Sequence, residues 1–96
     1  MRIEFSPKAY LALDQISDYL YQQSKSKKIT AGYIRKIRDF IVKILTTFPK
    51  AGRSAEEFGE GVRKLVYQQY SILYKIVDRE HIVMLTLYRE NLLDAN

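Results

Sequence analysis

Four basic residues stand where chemistry would need them: Arg53 in a glycine-rich segment, Arg63 and Lys64 just after it, and Arg89 near the end of the chain. Guanidinium groups bind phosphate or carboxylate oxygens through two parallel hydrogen bonds. Arg63 and Arg89, brought together by the fold, would therefore make an anion site. Tyr67, Tyr70, Tyr74 and Tyr88 lie in the same half of the chain and could stack on bases, although tyrosines at this density mainly serve packing. The single histidine, His81, has no second His and no Cys to complete a metal site. It also lacks a Ser or Cys partner in any motif context, so a nucleophilic triad is unsupported. Glu56-Glu57 could act as paired carboxylates, but adjacent acids in a Gly-bounded loop are ordinarily solvated charges. Gly59-Glu60-Gly61 precedes a strand, so no helix N-terminus follows it to hold a phosphate. Arg35, Lys36, Arg38 and Lys43 fall off the apolar stripe of a helix and read as its solvated face. No catalytic residue, metal ligand or cofactor is assigned.

The elements that must position these residues are readable from periodicity. Arg2–Phe5 alternates and is short, which predicts an edge strand. Ser6-Pro7 is a helix start, with a hydroxyl at the N-cap and proline where its missing N–H is not needed. Ala9, Leu13, Ile16 and Leu20 form one helical stripe, and the polar run Ser24–Lys28 ends it. A second helix carries Ile34, Ile37, Ile41, Ile44 and Phe48, flanked by Tyr33 and Leu45, and Pro49 stops it. Ser26 or Thr30 caps it, with Gly32 weakening its first turn. Lys50–Gly61 has no periodicity and reads as a loop. Val62–Tyr67, Tyr70–Val77 and His81–Tyr88 are three strands joined by connections short enough for hairpins.

Ninety-six residues make a single domain, spanning 1–96. No Cys is present, which excludes a disulfide scaffold and fits a reducing cytoplasm. The N-terminus has no signal-peptide pattern, and no apolar run is long enough to span a membrane. The net charge of +5 favours an anionic partner, nucleic acid or acidic protein.

These elements predict an α+β two-layer fold: a helical hairpin packed on one face of a twisted, mostly antiparallel sheet, in the order β-α-α-β-β-β. Strand alternation then assigns faces. Ile72, Tyr74 and Ile76 share one side of the middle strand, and Leu73, Lys75 and Val77 the other. In the last strand Val83, Leu85 and Leu87 share one side, and Ile82, Met84, Thr86 and Tyr88 the other. Arg63, Leu65 and Tyr67 alternate with Val62, Lys64 and Val66. Both faces carry apolar residues while the helices cover only one, which implies a partner on the second face or long side chains lying over it.

The chain resembles the ParE/RelE superfamily of bacterial toxin–antitoxin toxins. The resemblance runs from Ser6-Pro7 through Arg89: Phe48-Pro49 followed by Ala51-Gly52-Arg53, then V-R-K-L at Val62–Leu65, Y-S-I-L-Y-K-I at Tyr70–Ile76, and I-V-M-L-T-L-Y-R at Ile82–Arg89. The order and spacing of these pieces carry the resemblance. Two activities occur on the superfamily's fold. RelE-like members cleave mRNA in the ribosome, whereas ParE-like members are not enzymes and poison DNA gyrase by trapping its cleaved-DNA complex. Arg63 matches a strand arginine shared by both groups. Ribonuclease members carry a His-Tyr pair near the end of the last strand, and the corresponding positions here are Arg89 and Glu90. A carboxylate at Glu90 opposes an RNA phosphate. The ParE-like pattern of His then Arg near this end is also not matched by Tyr88-Arg89-Glu90. The intact P-x-x-G-R motif, the missing acid–base pair and the modest net charge favour the gyrase-poisoning group, with the ribosome-dependent endonuclease as the alternative.

The resemblance further implies a cognate acidic antitoxin whose disordered segment folds along the toxin, giving a hetero-oligomer. It assigns target binding to Arg53, Arg63, Lys64, Tyr88 and Arg89, and antitoxin binding to Tyr67, Leu73 and Lys75.

Overall fold

The computed structural model describes residues 1–90. It contains β1 (Arg2–Phe5), α1 (Pro7–Ser24), α2 (Lys27–Thr47), β2 (Arg53–Ser54), a 3-10 turn at Glu56–Phe58, β3 (Val62–Tyr67), β4 (Tyr70–Asp78) and β5 (His81–Arg89). The expected α+β architecture is present. The sheet order is β1-β5-β4-β3-β2, with β1 parallel to β5 and the other pairings antiparallel.

Local chemistry sets the helix ends. Ser6 Oγ accepts a hydrogen bond from the Ala9 amide at 3.0 Å and donates to the Leu85 carbonyl at 2.9 Å. One hydroxyl therefore caps α1 and ties its start to β5. Lys25 adopts the left-handed conformation that closes α1, and its N–H reaches the Tyr21 carbonyl at 2.7 Å. Ser26 caps α2 through the Ile29 amide at 3.2 Å. Thr30 is buried one turn inside, and the helix runs unbroken through Gly32.

The helices bury Ala9, Ala12, Leu13, Ile16, Ile37, Ile41 and Leu45 against Tyr70, Ile72, Tyr74, Ile82, Met84 and Leu87 of the sheet. Each fully buried aliphatic residue contributes about 2 kcal/mol of transfer free energy. The second helix departs from its expected stripe at the C-terminal end. Leu45 is fully buried, whereas Phe48 is 61% exposed. Phe48 lies just past the last residue of α2, with non-helical backbone angles (φ −133°, ψ 82°), so its side chain leaves the stripe and Leu45 takes the inward position.

Two further departures concern the sheet. The segment expected to be a plain loop contains β2, whose two residues pair with β3 as Arg53↔Lys64 and Ser54↔Arg63. Two residues cannot show a period, so nothing in the local sequence marks them. In β5 the pairing jumps from Leu73↔Thr86 to Tyr74↔Met84, leaving Leu85 as the extra residue of a β-bulge. A bulge resets side-chain parity. Ile82 and Met84 face the helices before it and Leu87 after it, while Leu85 and Tyr88 join the opposite face. The expected grouping of Val83 with Leu85 and Leu87, and of Met84 with Tyr88, is corrected accordingly.

Candidate functional site

On the sheet face away from the helices, Ala55, Val62 and Leu73 form a second small apolar cluster, with Leu85 and Tyr88 packed against it. Phe58, about half exposed, extends it; its ring lies 6.2 Å from that of Tyr88. Lys75 is an exposed neighbour on β4, in register with Val62. Lys64 crosses the other side, its Nζ 5.8 Å from the Tyr88 ring centroid. This face therefore has an apolar floor and a basic edge.

Ion pairs fix two of its cations. Lys64 Nζ donates to Glu90 Oε1 at 2.9 Å, and the buried Ser71 hydroxyl donates to the same oxygen at 2.5 Å. The Ser71 bond, then the Lys64 bond, hold the Glu90 carboxyl below the usual carboxylate range. Glu90 in turn raises the Lys64 pKa, against the opposing effect of partial burial. Arg53 Nη2 meets Glu57 Oε2 at 3.1 Å. The Glu57 carboxyl is lowered first by its own backbone amide and then by Arg53. Both carboxylates are exposed, so these pairs are screened by water and salt.

Beside this face, Pro49–Arg53 forms a loop of different construction. Tyr74, fully buried, sends its hydroxyl out of the core: the oxygen accepts from the Gly52 amide at 2.9 Å and donates to the Pro49 carbonyl at 2.7 Å. Arg63 Nε donates to the Gly52 carbonyl at 2.9 Å, and its Nη2 to the Lys50 carbonyl at 3.2 Å. Gly52 is buried, and a β-carbon there would lie 2.7 Å from the Lys64 carbonyl oxygen and 2.8 Å from Tyr74 Cε1. Only glycine fits, because the loop lies directly against the β3 backbone.

The residues assigned from sequence thus separate into three places. Lys64 and Tyr88 are on the open face, with Arg53 at its β2 margin. Arg63 points to the helix side of β3 and is spent on loop carbonyls. Arg89 pairs with Tyr70 at the other end of the sheet, stacks 4.5 Å over the Tyr19 ring and donates to Gln69 Oε1 at 3.0 Å. Arg63 pairs instead with Tyr74, so the two arginines do not converge on one anion. Of the other set, Leu73 and Lys75 share the open face, whereas Tyr67 packs on the helix side, its ring 4.6 Å from Phe40. His81, at the far end of β5, contacts Glu4 Oε1 at 3.1 Å.

Sequence reading missed the loop-clamping role of Tyr74 and the exposure of Phe48. A signal for the first exists: a tyrosine in the core face of a central strand must find a partner for its hydroxyl. Among the described residues no cluster of potential metal ligands is present, and no helix is long and apolar enough to cross a membrane.

With this geometry, the sequence model for the ParE toxin of type II toxin–antitoxin systems, parDE, matches residues 3–91. Among solved structures, one described as the chromosomal ParDE TA system from P. aeruginosa is similar, with a TM-score of 0.74 and 22% identity over 95% of this chain and 97% of that chain. At that identity the likeness speaks for the fold. No curated protein matches the chain.

Proposed function

This chain belongs to the ParE toxin family of type II toxin–antitoxin systems, and we propose that it acts in the cytoplasm by poisoning DNA gyrase, trapping the enzyme's cleaved-DNA complex without catalysing a reaction itself. As a type II toxin it is paired with an antitoxin. The observation that carries the choice of target is the state of the basic residues. Arg63 donates to two backbone carbonyls, Lys64 is neutralised by Glu90 and Arg53 by Glu57. A ribonuclease needs donors aimed at a scissile phosphate and at the charge that develops on it. Here Arg63 is directed to loop carbonyls, Lys64 and Arg53 are engaged by carboxylates on the open face, and Glu90 presents its negative charge beside Lys64.

The open face suits the antitoxin. Leu73, Val62 and Leu85 supply an apolar floor, and Lys64 and Lys75 supply cations at its margin. An acidic segment that folds on binding would bury its apolar residues on that floor and pair its carboxylates with those lysines. Tyr67 belongs to packing in this reading, and Arg89 contributes to the end of the sheet through Tyr19.

The test is a gyrase assay with ATP and supercoiled plasmid, run beside a ribosome-programmed mRNA cleavage assay. Linear DNA released from trapped gyrase, with intact mRNA, is the expected result. Cut mRNA with unaffected gyrase would replace this reading with that of a RelE-type endonuclease.

A further inference from the structure

The Pro49–Arg53 loop is held more firmly than its length requires. Pro49, Lys50 and Gly52 carbonyls and the Gly52 amide all receive side-chain partners from Tyr74 and Arg63. The Phe48 carbonyl also accepts from the Ala51 amide at 2.9 Å. Those clamps come from the sheet, and they leave outside the side chains of Lys50 and Ala51 and of Phe48, which joins the loop to the end of α2; all three are exposed. Phe48 is the sharpest anomaly, a residue in an apolar helical stripe that ends 61% exposed.

A large aromatic side chain held in water on a rigid loop is the arrangement of a binding anchor. Preorganisation removes the ordering cost that a mobile loop would meet on association, and large aromatic side chains dominate interface energetics through the area they bury. The charges favour a protein partner. Nucleic-acid binding rests on several cations offered to phosphates. Here Arg53 is paired with Glu57 and Arg63 with carbonyls, and among the described residues Lys50 forms no ion pair. One apolar anchor and one cation fit an acidic protein surface.

We propose that Phe48 and Lys50 form the surface through which this toxin contacts its target protein, with Arg63 acting as a positioning residue that holds the loop. The proposal rests on the gyrase reading above and names the contact within it. Phe48 inserts into an apolar pocket of gyrase, and Lys50 meets a carboxylate beside that pocket.

The experiment uses the purified full-length chain, titrated into gyrase, ATP and supercoiled plasmid, with linear DNA as the readout. Phe48→Ala and Lys50→Glu alter exposed side chains, so both variants fold and melt like the parent. Each is expected to raise the concentration needed for half-maximal linearisation about tenfold or more. Arg63→Ala is expected to weaken poisoning and to speed tryptic cleavage at Lys50, with Arg63→Lys recovering part of both. Undiminished poisoning by Phe48→Ala and Lys50→Glu would overturn the inference and leave the gyrase reading standing. A parent protein that does not trap gyrase would overturn both. Should the parent shift linear duplex DNA without gyrase, and Phe48→Ala abolish that shift, the loop reads nucleic acid and the inference also fails.

Discussion

The Pro49–Arg53 loop and the open face of the sheet both hold cations at the surface, and they do so by different physics. In the loop, Tyr74 and Arg63 bond to backbone groups, and one of the two clamps starts from a fully buried ring. On the open face, Lys64 and Arg53 are held by the exposed carboxylates of Glu90 and Glu57. Bonds to backbone groups in a partly dry setting persist across salt and pH, because leaving such groups unmet carries the full desolvation penalty. Exposed ion pairs are worth little and respond to both. The loop is therefore suited to presenting a fixed surface, and the open face to exchanging its internal partners for those of an incoming acidic segment.

The strongest way to break that contrast is Gly52→Ala. The new β-carbon would meet the Lys64 carbonyl oxygen and the Tyr74 ring inside contact distance, and neither can swing aside as the end of a flexible side chain would. Relief requires the loop to lift from β3, breaking the Tyr74 and Arg63 bonds together. The expected loss is about 3 kcal/mol, equivalent to a fall in Tm of about 15 °C for a domain of this size. Calorimetry or a urea titration would measure it; a parent-like Tm would show the loop is not seated as described.

Tyr74→Phe separates the clamp from the packing. The ring keeps its place in the core, while the Gly52 amide and Pro49 carbonyl lose their partner. Pro49 is half-buried and can recruit water, so the expected loss is about 2 kcal/mol, within the range for unmet polar groups. It should be equal in urea titrations at low and high salt. A loss that grows as salt falls would mean the clamp works through charge, and the contrast with the open face would weaken.

The same division explains what the sequence could tell. Both helices, three long strands, the Ser6 and Ser26 caps and the apolar floor at Leu73 follow from periodicity and capping chemistry, which act over a few residues. The two-residue strand at Arg53–Ser54 and the bulge at Leu85 do not, because each is decided by the partner strand. The bulge matters most for the site: it puts Leu85 and Tyr88 on one face with Leu73, whereas strict alternation placed Leu85 and Tyr88 on opposite sides of the strand. The commitment of Arg63 to Gly52 and Lys50 was equally out of reach, since an arginine in a strand reads the same whether it faces a carbonyl or a phosphate. The exposed Phe48 was hidden by its agreement with the apolar stripe.

A smaller effect tests the open face itself. Glu90 has its pKa lowered in the folded chain by Ser71 and Lys64. A carboxylate whose folded pKa is depressed stabilises the fold above its unfolded pKa, and that contribution is lost as pH falls through the folded value. Below its depressed folded value Glu90 is protonated in both states, Lys64 loses its partner and the pair no longer contributes. Lys64 gives the opposite limb: its raised pKa means a contribution present below the unfolded lysine value and lost only as pH climbs through the folded one. Between those limits the pair should be flat with pH. Glu90→Gln removes the acid limb while keeping an acceptor for Ser71. Urea midpoints of parent and variant should therefore differ near neutral pH and converge in acid, with the gap narrowing in high salt because the pair is exposed. Arg53 and Glu57 remain in both proteins and cancel in the comparison, as does the Tyr74 clamp. A gap that persists in acid would mean that Glu90 acts through uncharged contacts that Gln does not reproduce and not through charge. The open face would then be held in the manner of the loop.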